Sequence, residues 1–456
     1  MISRRDQLQS YQFMNQRVIS AFVMRETDPA QSPLRRGIGA LFGGLMVAIL
    51  VAAGFGIYGI LTKTGSNQWQ KDGSVVVERE TGASFVYLGN RLNPALNFAS
   101  AKLAAGRPDP PVFRIAAKSL TGTPRGNTIG IAGAPASLPD PGRRVGLPWT
   151  MCAIPDGNVG SVLLVGATGP AGAALGDRAL LVTDNPRAQV SHLIWQGRKY
   201  RIPETAIAVA LFGTDDDPIR VSTAWLNALP SGADLAPIDV RAPGTPSGAA
   251  RGFDVGDILV TETGSGKQFN LILADGRAAI TGLQQVILSA EEGFGDPKPI
   301  AVGDLTDIPE SRSLKNDDAG VRGPAQVPPL AGIAAGESAC AVTSAADKPP
   351  TVAVGVPASA FGAAIPTGGT TDAGRPLADA VSVPAGRFSL VRVPGSGGFM
   401  LVTDLGLRHP VPSPDALARL GYTPAIAVTV PTALINSVPA GVTLDPNAAL
   451  QRAQNP

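Results

Sequence analysis

The sequence predicts an α+β protein: a single N-terminal transmembrane helix, followed by a body of four small α/β repeats around a mainly β central domain. Three observations predict this fold. An apolar run at 37–61 carries no charge, a β-rich signature recurs four times after it, and two stretches outside the repeats each contain one cysteine. With 54 Gly, 41 Pro and 44% apolar residues, the composition is typical of a folded body with many short strands and turns.

The apolar run begins at Gly37 and ends at Leu61. A helix rises about 1.5 Å per residue, so this run reaches across the roughly 30 Å hydrocarbon core of a bilayer. Signal peptides have apolar cores of only about 7 to 15 residues, which favours an uncleaved anchor. Gly39 and Gly43 have the GxxxG spacing that lets two helices approach closely, but small residues are common in such helices, so self-association there stays open.

Basic residues flank the anchor on both sides. Six arginines precede it, namely Arg4, Arg5, Arg17, Arg25, Arg35 and Arg36, whereas Lys63 and Lys71 follow it. Segments rich in Lys and Arg stay cytoplasmic. We therefore expect the head in the cytoplasm and the body on the far side of the membrane.

The head, residues 1–36, predicts an amphipathic helix. Ser3 and Asp6 have capping-box spacing, and apolar residues then recur three to four positions apart, at Leu8, Tyr11, Met14, Val18 and Phe22. Such a face could lie on the membrane, dock a partner subunit or pair with a second copy, and the sequence alone does not rank these alternatives.

The β-rich signature of the body occurs as SFVYLG at 84–89, LLVTD at 180–184, ILVTE at 258–262 and MLVTD at 400–404. After three of these copies comes P-x-G-x-x-[IL], at 124–129, 230–235 and 439–444. Between the two signatures, Pro and Gly punctuation predicts helices from 93–94 to 106, from 203 to 213 and from 413–414 to 421. The third copy keeps a helical stretch at 281–290 but lacks P-x-G, so we interpret it as degenerate.

These signatures predict the following organisation: a cytoplasmic helix at 1–36, the anchor at 37–61, repeat 1 at 62–139, repeat 2 at 180–237, repeat 3 at 238–290, repeat 4 at 400–445, a C-terminal tail at 446–456, and a central domain split into 140–179 and 291–399. A repeat of this size is too small to bury a core alone, so we expect it to pack on its neighbours.

Cys152 and Cys340 are the two cysteines of the chain, one in each part of the predicted central domain. A body outside the cytoplasm lies in an oxidising compartment, which favours a disulfide between them over two separate thiols. Closing so long a loop is worth about 4 to 5 kcal/mol in chain-entropy models.

No catalytic, cofactor or metal site emerges from the sequence. The stretch TETGSGKQ at 261–268 resembles a phosphate-binding loop, but it lacks the first Gly and the final hydroxyl of that motif and precedes a predicted strand, so it is interpreted as a hairpin turn. Two histidines, His192 and His409, are too few for a zinc cluster or a conventional triad, and Asp215, Asp216 and Asp217 lack EF-hand spacing. The net charge of +2 suggests no nucleic-acid partner.

Several stretches nevertheless resemble one known family. The head YQFMNQRVISAFVMRETDP with SPLRR and one apolar span, RLNPALNFASAKLAAG at 91–106, SLTGTPRGNTIGIAGAPASLP at 119–139 and PWTMC at 148–152 are similar to EccB components of type VII (ESX) secretion systems. The resemblance implies an inner-membrane protein with a cytoplasmic N-terminus and an elongated periplasmic region, in which four repeats similar to a phage-lysin cell-wall-binding subunit surround a disulfide-bonded central domain.

The resemblance also implies a role and partners. The implied role is structural: the protein would support protein export across the mycobacterial or actinobacterial envelope. The implied partners are EccC, EccD and EccE subunits and a second copy of the chain, with contacts to a mycosin-type protease and the cell wall. Some members of the family carry an ATPase label, which this sequence does not match because it has no Walker A loop. Two alternatives to a purely structural subunit remain: hydrolysis of ATP, which that label implies, and binding of peptidoglycan, which the lysin-like repeats suggest.

Overall fold

The computed structural model describes residues 3–25, 33–61, 67–155, 160–169, 171–213, 217–264, 266–314, 323–361, 364–393, 395 and 397–453. These residues divide into two compact units, Met1–Gln70 and Lys71–Pro456.

The N-terminal unit contains two helices, α1 (Arg4–Met24) and α2 (Pro33–Leu61). The predicted capping box is present: the Ser3 hydroxyl accepts a hydrogen bond from the Asp6 amide, and the Ser3 amide donates to Asp6 Oδ2 at 3.1 Å. Helix α2 begins at Pro33, earlier than the predicted start at 37, because proline fits the first turn of a helix, where its missing N–H needs no partner. Residues 26–32, between the two helices, lie outside the described residues.

Repeat 1 is a four-stranded sheet in the order β3-β2-β1-β4. The first three strands form an antiparallel meander, and the fourth returns parallel to the first. Its elements are β1 (Ser74–Glu78), β2 (Ser84–Leu88), β3 (Arg91–Ala95), α3 (Phe98–Ala104), β4 (Val112–Ile115) and α4 (Ala117–Leu120). The predicted helix start at Asn93-Pro94 is wrong. Both residues lie in β3, and the helix begins after Asn97, whose side chain accepts a hydrogen bond from the Ser100 amide at 2.9 Å.

The chain then forms three strands of the central sheet before it enters repeat 2, whose sheet repeats the topology of repeat 1 in the order β10-β9-β8-β11. The elements are β5 (Trp149–Ile154), β6 (Gly160–Val165), β7 (Ala173–Ala174), β8 (Leu180–Thr183), β9 (Ser191–Trp195), β10 (Arg198–Ile202), α5 (Thr205–Phe212), β11 (Ile219–Arg220) and α6 (Thr223–Asn227). Helix α5 ends before Gly213, as its Gly punctuation predicts.

Repeat 3 has the same topology, in the order β14-β13-β12-β15. Its elements are β12 (Ile258–Thr263), β13 (Gly266–Leu273), β14 (Gly276–Ile280), α7 (Gly282–Ser289), β15 (Lys298–Pro299) and α8 (Val302–Thr306). Thr281 caps α7 and Ala290 ends it, which confirms the helix predicted there. Because β15 pairs with β12, repeat 3 extends beyond the predicted boundary at 290.

The central sheet has seven strands in the order β18-β19-β6-β5-β16-β17-β7, all within the two segments assigned to the central domain. Its remaining strands are β16 (Glu337–Thr343), β17 (Thr351–Pro357), β18 (Ile365–Pro366) and β19 (Ala380–Ser382).

Repeat 4 begins at Phe388 rather than at 400, because the strand from Phe388 pairs with the strand that carries its signature. Its elements are β20 (Phe388–Arg392), β21 (Phe399–Thr403), β22 (Arg408–Val411), α9 (Pro414–Arg419), α10 (Thr432–Asn436) and α11 (Pro446–Ala449). A parallel bridge between Val391 and Val428 takes the place of the fourth strand. Ser413 caps α9 as predicted.

The recurring signature does not mark one position of the repeat, which corrects the predicted alignment. SFVYLG and MLVTD form second strands, β2 and β21, whereas LLVTD and ILVTE form first strands, β8 and β12. Neighbouring strands of a meander share the same apolar, β-branched character, so a short run does not reveal which strand it forms.

The P-x-G element pairs with the third strand in each repeat. In repeat 2, the Lys199 amide donates to the Pro230 carbonyl at 2.9 Å and the Gly232 amide donates to the Lys199 carbonyl at 2.8 Å. In repeat 3, Arg277 makes the same two bonds with Pro309 and Ser311, at 2.8 and 2.7 Å. The prediction that repeat 3 lacks this element is therefore wrong: serine occupies the glycine position.

Among the described residues, three hydrophobic cores are shared between parts of the body. The largest joins one face of the central sheet to repeats 2 and 4 through residues such as Trp149, Trp225 and Val402. A second core joins repeats 1 and 4, including Leu103, Leu401 and Leu417, and a third joins repeats 2 and 3, including Leu193, Ile207 and Leu283. Repeats 2 and 4 thus pack on the central sheet with one face and on another repeat with the other.

Candidate membrane anchor and assembly surfaces

Helix α2 provides the candidate anchor. Its stretch Gly37–Gly59 is long and apolar enough to cross a bilayer, with a mean hydropathy of 2.3 and no buried residue in the most apolar window. A Cβ atom built on Gly39 or Gly43 would meet no other atom within 4 Å, so this face is open to lipid or to another helix. Leu61 is the last residue of the helix.

Helix α1 presents the predicted apolar face without a partner among the described residues. Leu8, Tyr11, Met14, Val18 and Phe22 are all at least half exposed, from 50% for Val18 to 85% for Phe22. Phe13 and Val23, which the spacing argument left out, are also exposed, and at about 100° per residue Phe13 lies on the opposite side of the helix, so exposed apolar side chains are not confined to the predicted face. The described structure therefore does not show whether lipid, a partner subunit or a second copy covers this face of α1.

The structure contains a disulfide between Cys152 and Cys340. The two residues are directly opposite each other on the adjacent antiparallel strands β5 and β16, and both are buried. The bond joins positions separated by 188 residues and therefore ties together the two parts of the central sheet on either side of repeats 2 and 3.

The stretch at 261–268 forms a β-hairpin, as predicted. Strand β12 pairs with β13 from Ile258–Leu271 to Thr263–Gly266, and Lys267 Nζ lies 4.0 Å from Glu262 Oε1 across it. A phosphate-binding loop requires a helix whose N-terminal amides face the anion, and here a strand follows instead.

The two histidines lie apart in different repeats. His409 is buried, and its Nδ1 atom lies 3.0 Å from the Val442 carbonyl oxygen. Burial lowers the pKa of His409 and of half-buried His192. Within the described residues, no group of His, Cys, Asp or Glu side chains could hold a metal ion. Asp215 and Asp216 lie outside those residues.

Two clefts that the sequence analysis did not predict open on repeats 1 and 2. The cleft at repeat 1, about 720 Å³, is lined by Ser84 and Phe98 of that repeat, by residues 136–141 and by Leu420 and Tyr422 of repeat 4. The cleft on repeat 2, about 440 Å³, includes Ser191 and Thr205. Ser84 and Ser191 each begin the second strand of their repeat. The recurring signature does not reveal this, because it forms the second strand in repeat 1 and the first strand in repeat 2.

Comparisons with known proteins place the chain in a family. Residues 1–455 match the family model described as type VII secretion system ESX-1, transport TM domain B. The ESX-2 secretion system ATPase EccB2 of Mycobacterium tuberculosis is 28% identical over 98% of this chain and 94% of its own length. The ESX-5 secretion system ATPase EccB5 of the same species is 30% identical over 66% of this chain, and the chain spans 62% of the length of that relative.

Solved structures agree with this assignment. A chain of an intact ESX-5 inner membrane complex matches with a TM-score of 0.67 and 25% identity, over 100% of this chain and 96% of its own. A chain of the EccB3 dimer from an ESX-3 core complex shares the fold with a TM-score of 0.65 and 24% identity, over 83% of this chain and 100% of its own. The protein therefore belongs to the EccB family of type VII secretion membrane components.

Proposed function

We propose that this protein is a structural subunit of a type VII secretion inner-membrane complex and that its body forms part of the periplasmic scaffold that supports protein export. The observation that carries the proposal is the division of the chain into one apolar helix and a large body whose repeats share continuous cores. Repeats that bury one another's faces make a rigid assembly, which suits a scaffold.

The proposed orientation places α1 in the cytoplasm and the disulfide-bonded body in the periplasm. The arginines before the anchor and the disulfide both support it. As a test, a membrane-impermeant maleimide is added to spheroplasts that express Ser10→Cys or Lys348→Cys. We expect labelling of the exposed position 348 and none at position 10 until the membrane is opened, and the opposite pattern would contradict the orientation.

The proposed partners are EccC, EccD and EccE-type subunits and a second copy of the chain, with contacts to a mycosin-type protease and the cell wall further out. The exposed apolar face of α1 supports a cytoplasmic docking role. Deleting residues 3–25 should release the protein from an affinity-purified membrane complex, whereas Leu8→Ser with Phe22→Ser should weaken its retention. Full retention of the deletion variant would remove α1 as a docking element.

We propose that this role needs no bound nucleotide or other cofactor, although relatives carry ATPase in their names. The hairpin at Lys267 supports this, because it offers no helix N-terminus to a phosphate. The purified body should show no ATP turnover above that of Lys267→Ala. Turnover that Lys267→Ala abolishes would favour the enzymatic alternative.

A further inference from the structure

Repeat 1 is the repeat that follows the membrane anchor in the chain. Helix α2 ends at Leu61, and the turn before β1 begins at Lys71, whose carbonyl accepts a hydrogen bond from the Ser74 amide at 3.0 Å. An extended chain spans at most about 3.6 Å per residue, so the ten residues from 62 to 71 allow a separation of no more than about 36 Å. The start of β1 is therefore tethered within this distance of the end of the anchor.

Three basic residues meet at this tethered end of the repeat 1 sheet. Lys71 lies in the turn before β1, and Arg107 lies beside that turn, since a Cβ atom on Gly73 would be 3.0 Å from the Arg107 Cδ atom. The Gly73 amide donates to the Tyr87 carbonyl at 2.9 Å, which joins the turn to the end of β2. Arg91 begins the neighbouring strand β3 at the same end. The fold thus brings together three segments that are distant in sequence.

The charge of these three side chains is largely uncompensated. Each of them is exposed, and none forms an ion pair with another residue that the structure describes. A neighbouring carboxylate, Asp72, accepts a hydrogen bond at its Oδ1 atom from the Gly89 amide at 3.0 Å. Asp109, two residues after Arg107, is paired with Lys102 Nζ at 3.1 Å and does not neutralise the arginine. This end of repeat 1 therefore carries a net positive charge.

Charge is distributed unevenly among the repeats. Residues 71–139 of repeat 1 include eight basic and four acidic side chains, whereas residues 238–311, which form repeat 3, include five basic and eleven acidic ones. Repeat 1 packs with repeat 4, and repeat 3 packs with repeat 2, so these two charged repeats belong to different shared cores. The excess of positive charge is thus found in the repeat that the anchor tethers to the membrane.

We propose that the tethered end of repeat 1 binds the headgroups of anionic phospholipids, with Lys71, Arg91 and Arg107 as the contacting side chains. Anionic lipids attract basic side chains near a bilayer surface, and a guanidinium donates two parallel hydrogen bonds to phosphate oxygens. The contact gives the body a second attachment to the bilayer beside the anchor. It therefore fixes the orientation of repeat 1 on the membrane surface.

The test uses the full chain in nanodiscs made of phosphatidylcholine alone or with about a third phosphatidylglycerol. A neutral N-hydroxysuccinimide ester acetylates exposed lysines, and mass spectrometry follows the rates at Lys71 and Lys118. Because β4 runs parallel to β1 and α4 follows β4, Lys118 lies at the opposite end of the sheet and serves as an internal control. We expect slower acetylation of Lys71 alone in the anionic discs. The difference should disappear in 1 M salt, where the Debye length is about 3 Å.

Charge variants then identify the surface that is responsible. Arg91→Gln with Arg107→Gln should remove the protection of Lys71, because each basic side chain near an anionic surface is worth about fivefold in affinity, or roughly 25-fold for two. Arg91→Lys with Arg107→Lys keeps the charge and should keep the protection. The matched control is Arg187→Gln with Arg241→Gln, which removes two exposed arginines of repeats 2 and 3 and should leave Lys71 protected.

Gly276 and Leu407 occupy the position of Arg91 in repeats 3 and 4, directly before the residue that bonds the P-x-G proline, so the variants should fold. An unchanged melting temperature verifies this. Equal acetylation of Lys71 in neutral and anionic discs would overturn the inference, as would equal loss of protection in the glutamine variant and its matched control. If Lys71 were protected only in a purified secretion complex, whatever the lipid charge, the surface would bind an acidic subunit and the lipid inference would be wrong. The inference rests on the membrane location of α2 and not on the scaffold function.

Discussion

At the scale of single residues, the repeats preserve a steric fit between two positions, one on the third strand and one at the glycine of the P-x-G element. The residues at these positions differ from repeat to repeat. A Cβ atom on Gly126, Gly232 or Gly441 would lie 1.8, 2.1 or 2.4 Å from the side chain of Asn93, Tyr200 or His409, respectively. In repeat 3 the corresponding third-strand residue is Ala278, and Ser311 replaces the glycine. Where the glycine is replaced by a residue with a side chain, as at Ser311, the third-strand residue that faces it is small, as at Ala278.

This fit predicts a large effect of Gly232→Ala. The new methyl group would overlap the Tyr200 ring, and overpacking of this kind costs about 1 to 3 kcal/mol. Chemical unfolding in detergent measures the loss, with Gly303→Ala as the matched control, because a Cβ there meets no other atom within 4 Å. Combining Gly232→Ala with Tyr200→Ala should cost less than the sum of the two single changes, and strict additivity would contradict the proposed contact.

The two histidines predict that the body loses stability in mild acid. Burial lowers the pKa of both His192 and His409, so the unfolded chain takes up protons near pH 6.5 before the folded protein does. The stability that depends on neutral histidine is therefore complete above about pH 6.5 and is lost as the pH falls below it, by at most about 1.4 kcal/mol per pH unit for each proton.

His409→Asn tests this pH dependence, because asparagine occupies the equivalent position, Asn93, in repeat 1. Free energies of unfolding between pH 7.5 and 5 should fall less steeply for the variant than for the wild-type chain. Carboxylates contribute equally to both proteins, so the difference in slope reports on His409 alone. Identical slopes would mean that this histidine keeps its ordinary pKa.

At the scale of the elements, sequence patterns predicted helix starts, because these depend on residues that are close together in the sequence. The capping residues Ser3, Thr281 and Ser413 mark helix starts because their side chains accept bonds from amides three residues on. Strand register was not predictable, since it depends on partners that are distant in sequence. The shared register position of Ser84 and Ser191 was missed for the same reason, because it appears only after the strands are paired.

The disulfide makes a prediction at this scale. It closes a loop across 188 residues, and chain-entropy models give about 5 kcal/mol for a loop this long. Cys152→Ala with Cys340→Ala should lower the free energy of unfolding by roughly this amount, because it frees the unfolded chain while removing only two small side chains. Reduced wild-type protein is the control and should match the double variant. On non-reducing gels, Cys152→Ser should migrate like reduced wild-type protein.

At the scale of the whole body, the chain closes on itself. Repeats 1 and 4 stand near opposite ends of the body sequence yet share one core, just as repeats 2 and 3 do. Helix α11 and residues 450–453, which lie in the predicted C-terminal tail, pack on repeat 1, where Ile129 and Arg452 form an antiparallel bridge. The C-terminal residues therefore add to a core that the first repeat began.

This closure predicts that truncation at the C-terminus loosens the first repeat. Deleting residues 446–456 removes buried Ala449 and two hydrogen bonds, Gly130 amide to Gln451 carbonyl at 3.2 Å and Ala453 amide to Thr128 carbonyl at 2.9 Å. The two bonds alone are worth roughly 1 to 3 kcal/mol. Hydrogen exchange should accelerate at the Gly130 amide and along α3, while amides of the central sheet stay protected. Unchanged protection of Gly130 in this deletion would show that repeats 1 and 4 hold together without the C-terminal segment.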